Sequence, residues 1–180
     1  MKKSLAIGLI GLATSAAAQA CPDYLNTEMR KLASKDTINF CESYAGQPML
    51  IVNTASNCGY TPQFTGLEQL HQDFKERGLV VVGFSSDDFF DQEEDDEADA
   101  ASVCYDKYSV TFPVMATTSV KKGKANPVFE GLGQAQGYPK WNFNKYVVAA
   151  DGEVLAHFGS RTGPDSPELI SLLEKVTGGE

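Results

Sequence analysis

Cys58 is the residue best placed to do chemistry. It lies in the stretch 49–61, MLIVNTASNCGYT, where a continuous apolar run gives way to a polar turn and then to the predicted start of a helix. A thiol at a strand-to-helix junction meets backbone N–H groups without intrahelical partners and the positive end of the helix dipole, and both favour an anion. A free thiol has a pKa of about 8.5, so a dominant thiolate at neutral pH requires a fall of about two units, or roughly 2.7 kcal/mol. A helix end supplies up to about 2 kcal/mol and each hydrogen bond to a charged acceptor about 1.5 to 3 kcal/mol, so one or two further donors suffice. The chemistry this permits is nucleophilic attack by sulfur. The run Cys58-Gly59-Tyr60-Thr61 holds no second thiol, which argues against disulfide exchange through a Cys-x-x-Cys pair. No metal or other cofactor is expected: His71 falls on a predicted helix and His157 on a predicted strand, without ligand spacing, and both read as structural or exposed.

Three other cysteines accompany it. Cys21 and Cys41 both precede the first predicted core strand and adjoin no reactive motif, so they are expected to pair. Closing a loop of about 20 residues would stabilise the fold by roughly 3 kcal/mol; the alternative is two free buried thiols. Cys104 falls in a predicted helix, 100–108, where a small apolar core role is one reading.

The elements that must hold these residues follow from periodicity. Residues 49–52 and 79–84 (LVVVGF) are apolar without alternation, as in strands buried on both faces. Between them, Phe64, Leu67, Leu70 and Phe74 mark one helical face over 62–77, with Thr61 as the expected cap, Pro62 in the first turn and Gly78 as the stop. This is a βαβ unit with Cys58 at its carboxyl edge. The run 85–99 is dense in acids and reads as a solvated loop entering the helix 100–108. A strand over 110–116, irregular at Pro113, a short helix over 127–132, a hairpin of 145–150 and 153–158 turning at Asp151-Gly152, and a helix over 167–176 complete the chain. The segment 21–46 is left between a short helix and an extended arm. The order is that of an α/β, thioredoxin-like domain with a central mixed sheet flanked by helices.

Composition bounds the rest. Lys2 and Lys3, the apolar core 5–12 and Ala18-Gln19-Ala20 have the form of a cleaved secretory signal, giving residues 1–20 as signal and 21–180 as one domain of the periplasm or the secreted fraction. Ala18, where a lipoprotein site carries Leu, and the bulky Gln19 argue against a lipid on Cys21. No segment is apolar enough to span a membrane. The formal charge is −9, and loss of the two signal lysines takes it to −11, which makes nucleic acid an unsuitable partner.

The run 53–61, NTASNCGYT, resembles the active-site signature of the glutathione peroxidase family, with cysteine where some members carry selenocysteine. Trp141-Asn142-Phe143 followed by Lys145 resembles that family's second signature, and Gly83-Phe84 with Phe89 and Gln92-Glu93 partly resembles the third. The resemblance implies a thioredoxin-like fold and reduction of hydroperoxides by thiols, with Cys58 as the peroxidatic cysteine and Trp141 and Asn142 as N–H donors to its thiolate. It places Cys104 where relatives keep a resolving thiol, oxidised with Cys58 to a disulfide and reduced by a dithiol protein. One departure stands out: Asp87-Asp88 replaces Asn-Gln, and a carboxylate at 88 would repel the thiolate unless it turns away. An acidic rim would also repel glutathione, so a thioredoxin-like protein is the expected reductant ahead of a low-molecular-weight thiol. The short connection between Leu132 and Trp141 lacks the assembly insertion of tetrameric relatives and suggests a monomer. The competing readings are a thiol-disulfide oxidoreductase and a redox sensor with little peroxidase turnover.

Overall fold

The computed structural model describes residues 21–178, and the expected signal segment lies outside them. At the N-terminus β1 (Glu28–Arg30) and β2 (Thr37–Asn39) form an antiparallel hairpin, and α1 (Phe40–Tyr44) follows at once. The segment left open in the sequence is thus both extended and helical. Asn39 caps α1, its Oδ1 accepting the N–H of Cys41 at 3.0 Å and of Glu42 at 3.2 Å. Cys21 and Cys41 form the expected disulfide, with Cα atoms 5.7 Å apart, and tie the N-terminal arm to α1.

The main sheet has the order β5-β4-β3-β6-β7. At its centre β3 (Met49–Thr54) runs parallel to β4 (Val80–Ser85), with Met49 opposite Val80 and Thr54 opposite Ser85. Both strands are buried throughout, which accounts for their unbroken apolar sequence. On the other side β3 pairs antiparallel with β6 (Lys145–Val148), and β6 with β7 (Val154–Phe158). The strand predicted over 110–116 is confined to β5 (Val114–Met115), because Pro113 has no N–H for a longer ladder. The outer edge of β5 is covered by the N-terminal hairpin: Leu32 N–H donates to the Val114 carbonyl at 2.9 Å and Ala116 N–H to the Arg30 carbonyl at 2.8 Å.

Helices fill both faces. α2 (Gln63–Phe74) turns Phe64, Leu67, Leu70 and Phe74 onto the face that carries Leu50, Val52 and Val81, joined there by Leu169 and Leu173 of α5 (Pro167–Val176). The opposite face, with Ile51, Val82 and Tyr146, receives Phe40 of α1 and Val128, Phe129 and Leu132 of α4 (Pro127–Gln136). The acidic loop leads into α3 (Glu97–Ala101), which widens into a π-helical turn over Ser102–Lys107 and so departs from the single helix predicted over 100–108. This is a thioredoxin-like α/β architecture with its loops 55–62, 85–96 and 141–144 gathered where β3 and β4 end and β6 begins.

Candidate active site

Cys58 lies in a run of tight turns that precedes α2. The N–H groups of Thr61, Gln63, Phe64 and Thr65 each donate to the carbonyl three residues back at 2.9 to 3.2 Å, and the α-helix begins only at Gln63. The cysteine therefore stands five residues ahead of the helix and not at its first turn. Its sulfur is nearly enclosed, the residue being 7 % exposed, and takes a hydrogen bond from the N–H of Tyr60 at 3.4 Å. Thr61, expected to cap α2, turns inward instead. Its hydroxyl donates to the Ala55 carbonyl at 2.8 Å and accepts the Cys58 N–H at 3.0 Å, which fixes the cysteine backbone between strand and helix.

The segment 141–144 is held against β3 by Asn53. That side chain donates to the Trp141 carbonyl at 3.0 Å and accepts the Asn144 N–H at 3.0 Å, while the Asn53 carbonyl takes the Phe143 N–H. Phe143 adopts φ 59°, a left-handed conformation that costs an L residue of this size energy and persists only under firm restraint. The restraints are a buried ring set edge-on to Phe64 at 5.3 Å and the Lys145 ammonium, which donates to the Phe143 carbonyl at 2.7 Å. Lys145 is fully buried, and that burial lowers its pKa to about 8.

This bend carries Trp141 and Asn142. Asn142 is fully buried; its Nδ2 donates to Gln92 Oε1 at 3.1 Å and its Oδ1 has no partner among the described residues. The Gln92 carbonyl in turn accepts the N–H of Asn57, the residue before the cysteine, at 2.8 Å. Trp141 packs against the same core cluster as Cys58, with Phe89 and Phe90 rings 6.0 and 5.4 Å from its own. Among the described residues neither Trp141 Nε1 nor Asn142 Nδ2 donates to the Cys58 sulfur, whose hydrogen bond comes from Tyr60. Of the two donors expected from the sequence, Asn142 has its amide engaged by Gln92, and Trp141 packs against the cluster that includes Cys58.

Asp88 does not face the thiol. Its carboxylate accepts from the Ser119 hydroxyl at 2.9 Å, from the N–H groups of Val120 at 2.6 Å and Lys121 at 3.2 Å, and from the Ser86 hydroxyl at 3.2 Å. Four donors outside the cysteine turn explain why the acid is accommodated here. The amide of this loop is Gln92. It lies four residues after Asp88, in the Gln92-Glu93 pair of the partly matched third signature. Its neighbour Glu93 is a buried carboxylate that joins the ends of both central strands. It accepts from the Ser56 N–H at 3.0 Å, from the Ser56 hydroxyl, from Glu94 N–H at 3.0 Å and from the Ser85 hydroxyl at 2.7 Å.

Cys104, in the π turn, is a free buried thiol of the same core cluster as Cys58. Burial, and then the negative charge of Glu93, push its pKa up to about 12, so it remains protonated and inert while the turn is closed. Beside Tyr60 and Trp141 opens a groove of about 1000 Å³ whose wall includes Tyr138, Lys140, His157, Ser160 and Arg161 and no carboxylate. The acidic rim expected from composition is therefore absent on this side, and the charge argument against glutathione does not hold for this wall. Among the described residues no group of three or more His, Cys, Asp or Glu could hold a metal ion.

Chemically, the arrangement offers a nearly enclosed sulfur that accepts a backbone N–H, and a second buried thiol in the same hydrophobic cluster. The sequence profile of the glutathione peroxidase family matches residues 25–133. A glutathione peroxidase-like peroxiredoxin of Chlamydomonas reinhardtii is 43% identical over 136 residues, which is 73% of this chain and 83% of that protein. A hydroperoxy fatty acid reductase of Synechocystis is 37% identical over 144 residues, 74% of this chain and 84% of its own. Among solved structures, the crystal structure of Trgpx in apo form superposes with a TM-score of 0.68 at 26% identity, over 86% of this chain and 95% of that one.

Proposed function

This chain belongs to the glutathione peroxidase family and is a thiol-dependent peroxidase; we propose that its peroxidatic atom is Sγ of Cys58. The observation that supports the assignment is a hydrogen-bonded chain that ends one residue before this cysteine: Asn142 Nδ2 donates to Gln92 Oε1, and the Gln92 carbonyl accepts the N–H of Asn57. The sulfur lone pair attacks the terminal oxygen of the hydroperoxide, the O–O bond breaks, and the departing alkoxide or hydroxide takes up a proton to leave as alcohol or water. Sulfur, oxidised by two electrons, becomes sulfenic acid. Trp141, Asn142 and Gln92 supply N–H groups around the charge that passes from sulfur to the leaving oxygen.

Cys104 serves as the resolving thiol in this reading. Its sulfur attacks the sulfenic sulfur, water leaves, and a Cys58–Cys104 disulfide forms, for a dithiol protein of the thioredoxin kind to reduce. Burial of Cys104 supports this order, because the turn 102–107 must open before the second thiol reacts. The cationic wall of Lys140 and Arg161 favours a second reductant, a low-molecular-weight thiol bearing carboxylates. We place the protein outside the cytoplasm, a reading supported by the Cys21–Cys41 disulfide, which persists in oxidising compartments. A monomer is proposed from the short link between α4 and Trp141. Treatment with one equivalent of hydrogen peroxide followed by mass spectrometry of the cysteines tests the assignment: oxidation begins at Cys58 and is lost in Cys58→Ser. Peroxide consumption by Cys58→Ser at the parent rate would reject it.

A further inference from the structure

The catalytic segment is anchored from behind by a histidine. Asn144 Nδ2 donates to the Trp141 carbonyl at 2.8 Å and to the Ser160 hydroxyl at 3.1 Å, and that hydroxyl donates to the Asn142 carbonyl at 2.6 Å. With its NH₂ so placed, the Asn144 amide turns Oδ1 toward His157 Nε2 at 2.8 Å. The other ring nitrogen, Nδ1, faces the Gln136 carbonyl at 3.1 Å. Both imidazole nitrogens therefore meet acceptors: one is a backbone carbonyl, which cannot donate, and the other is an amide oxygen oriented by the Trp141 carbonyl.

Only an imidazolium satisfies both. Neutral His157 has one N–H for two acceptors. Kept on Nδ1, it leaves Nε2 as an acceptor that Asn144 meets only by turning its amide over, which withdraws Nδ2–H from the Trp141 carbonyl. Kept on Nε2, it sets a lone pair against the Gln136 carbonyl at the end of α4. We propose that His157 is a positioning residue whose second proton locks the Asn144 amide onto the Trp141 carbonyl, so that the Trp141–Asn142 segment is held more firmly in the protonated protein. The inference rests on the peroxidase reading of that segment.

The charged and titratable surroundings set where this happens. Tyr146 of β6 stacks on the imidazole at 4.2 Å, and Lys140 and Arg161 share its groove. Burial lowers the His157 pKa, the Gln136 carbonyl raises it and Lys140 lowers it, for a net value below the ordinary 6.5. The anchor thus loosens as pH rises through a point on the acid side of 6.5.

Trp141 is the one tryptophan of the sequence, so emission excited on the long-wavelength side of tyrosine absorption reports on this segment alone. The test is a titration of that emission between about pH 4.5 and 8 in the reduced protein and in Cys58→Ser, whose signal contains no titration of the Cys58 thiol. A transition centred below 6.5 is expected in both, lost in His157→Phe, which retains an aromatic ring to stack on Tyr146. In the same range the rate constant for Cys58 oxidation by hydrogen peroxide should fall about two- to fivefold in His157→Phe and lose its acid-side inflection. Circular dichroism establishes folding of each variant, and His157→Gln substitutes for His157→Phe if the latter does not fold. An emission transition unchanged in the folded His157 variant overturns the proposal. The two readings separate cleanly: peroxide consumption surviving Cys58→Ser sinks the peroxidase assignment, whereas loss of consumption in Cys58→Ser with an unaltered titration in His157→Phe sinks only the role of His157.

Discussion

Gln92 Oε1 accepts a hydrogen bond from Asn142 Nδ2 at 3.1 Å, joining the loop after β4 to the bend before β6 across 50 residues of chain. The pair fixes which way the Asn142 amide points, and the same glutamine steadies the cysteine turn through Asn57.

Gln92→Leu removes the acceptor while retaining side-chain bulk. A lost hydrogen bond of about 1 to 1.5 kcal/mol at the reacting centre corresponds to roughly a tenfold slower oxidation of Cys58. Stopped-flow measurement with hydrogen peroxide reads this directly, and a rate equal to that of the parent would show the pair to be bystanders.

Asp88→Ala acts on stability. Its carboxylate gathers the Ser119–Lys121 turn, and loss of that acceptor leaves two backbone N–H groups without it, at a cost of about 2 kcal/mol. For a domain of this size the melting temperature should drop by about 4 to 8 °C while Cys58 oxidation stays within about threefold of the parent rate. A tenfold change in that rate with an unchanged melt would reverse the assignment.

Cys104, with its pKa pushed up to about 12, should resist alkylation in the reduced protein. At pH 7.5 iodoacetamide is expected to modify Cys58 at least about tenfold faster than Cys104, and sub-denaturing urea should accelerate Cys104 selectively by opening its turn. Peptide mapping over time decides the matter, and comparable rates in the absence of urea would contradict a closed turn.

Lys145 makes stability depend on pH in a direction that follows from its lowered pKa. Between about 8 in the folded protein and 10.5 unfolded, the unfolded chain binds the additional proton, so the destabilisation caused by the buried ammonium is full below pH 8 and is relieved as pH rises to 10.5. Relative to Lys145→Met, the parent should gain about 3 kcal/mol across that window. Urea unfolding at pH 7 and at pH 10.5 measures the difference, and a constant gap between the two proteins would exclude it.

The order of elements was legible because β3 and β4 are buried on both faces and read as apolar runs, and because α2 places its large residues at helical spacing. The disulfide was legible from position alone. What escaped the sequence is what depends on backbone direction. Thr61 has the chemistry of a cap, yet tight turns before Gln63 direct its hydroxyl to Ala55. Asp88 and Gln92 are four residues apart in a loop where Phe90 and Asp91 both adopt left-handed conformations, and no periodicity rule tells which of the two side chains such a path turns to Asn142 and which to the Ser119–Lys121 turn. The groove cations, Lys140 and Arg161, come from separate segments and are swamped in a net charge of −9. His157 carries no metal spacing in the sequence, and its partners, a carbonyl and an amide, lie 21 and 13 residues away along the chain, beyond any local motif.

The wide turn that holds Cys104 contains one residue more than an α-helical turn of the same span, as the bond from Tyr108 N–H to the Val103 carbonyl, five residues back, makes plain. Returning it to α-helical winding requires that a residue be expelled, and every side chain beyond that point is then swung around the axis by about 100°, the angle of a single α-helical step. A change of register of this kind rotates side chains while the backbone stays helical. For the reaction proposed above, such a step is the smallest rearrangement of this segment that would move the Cys104 side chain around the helix axis.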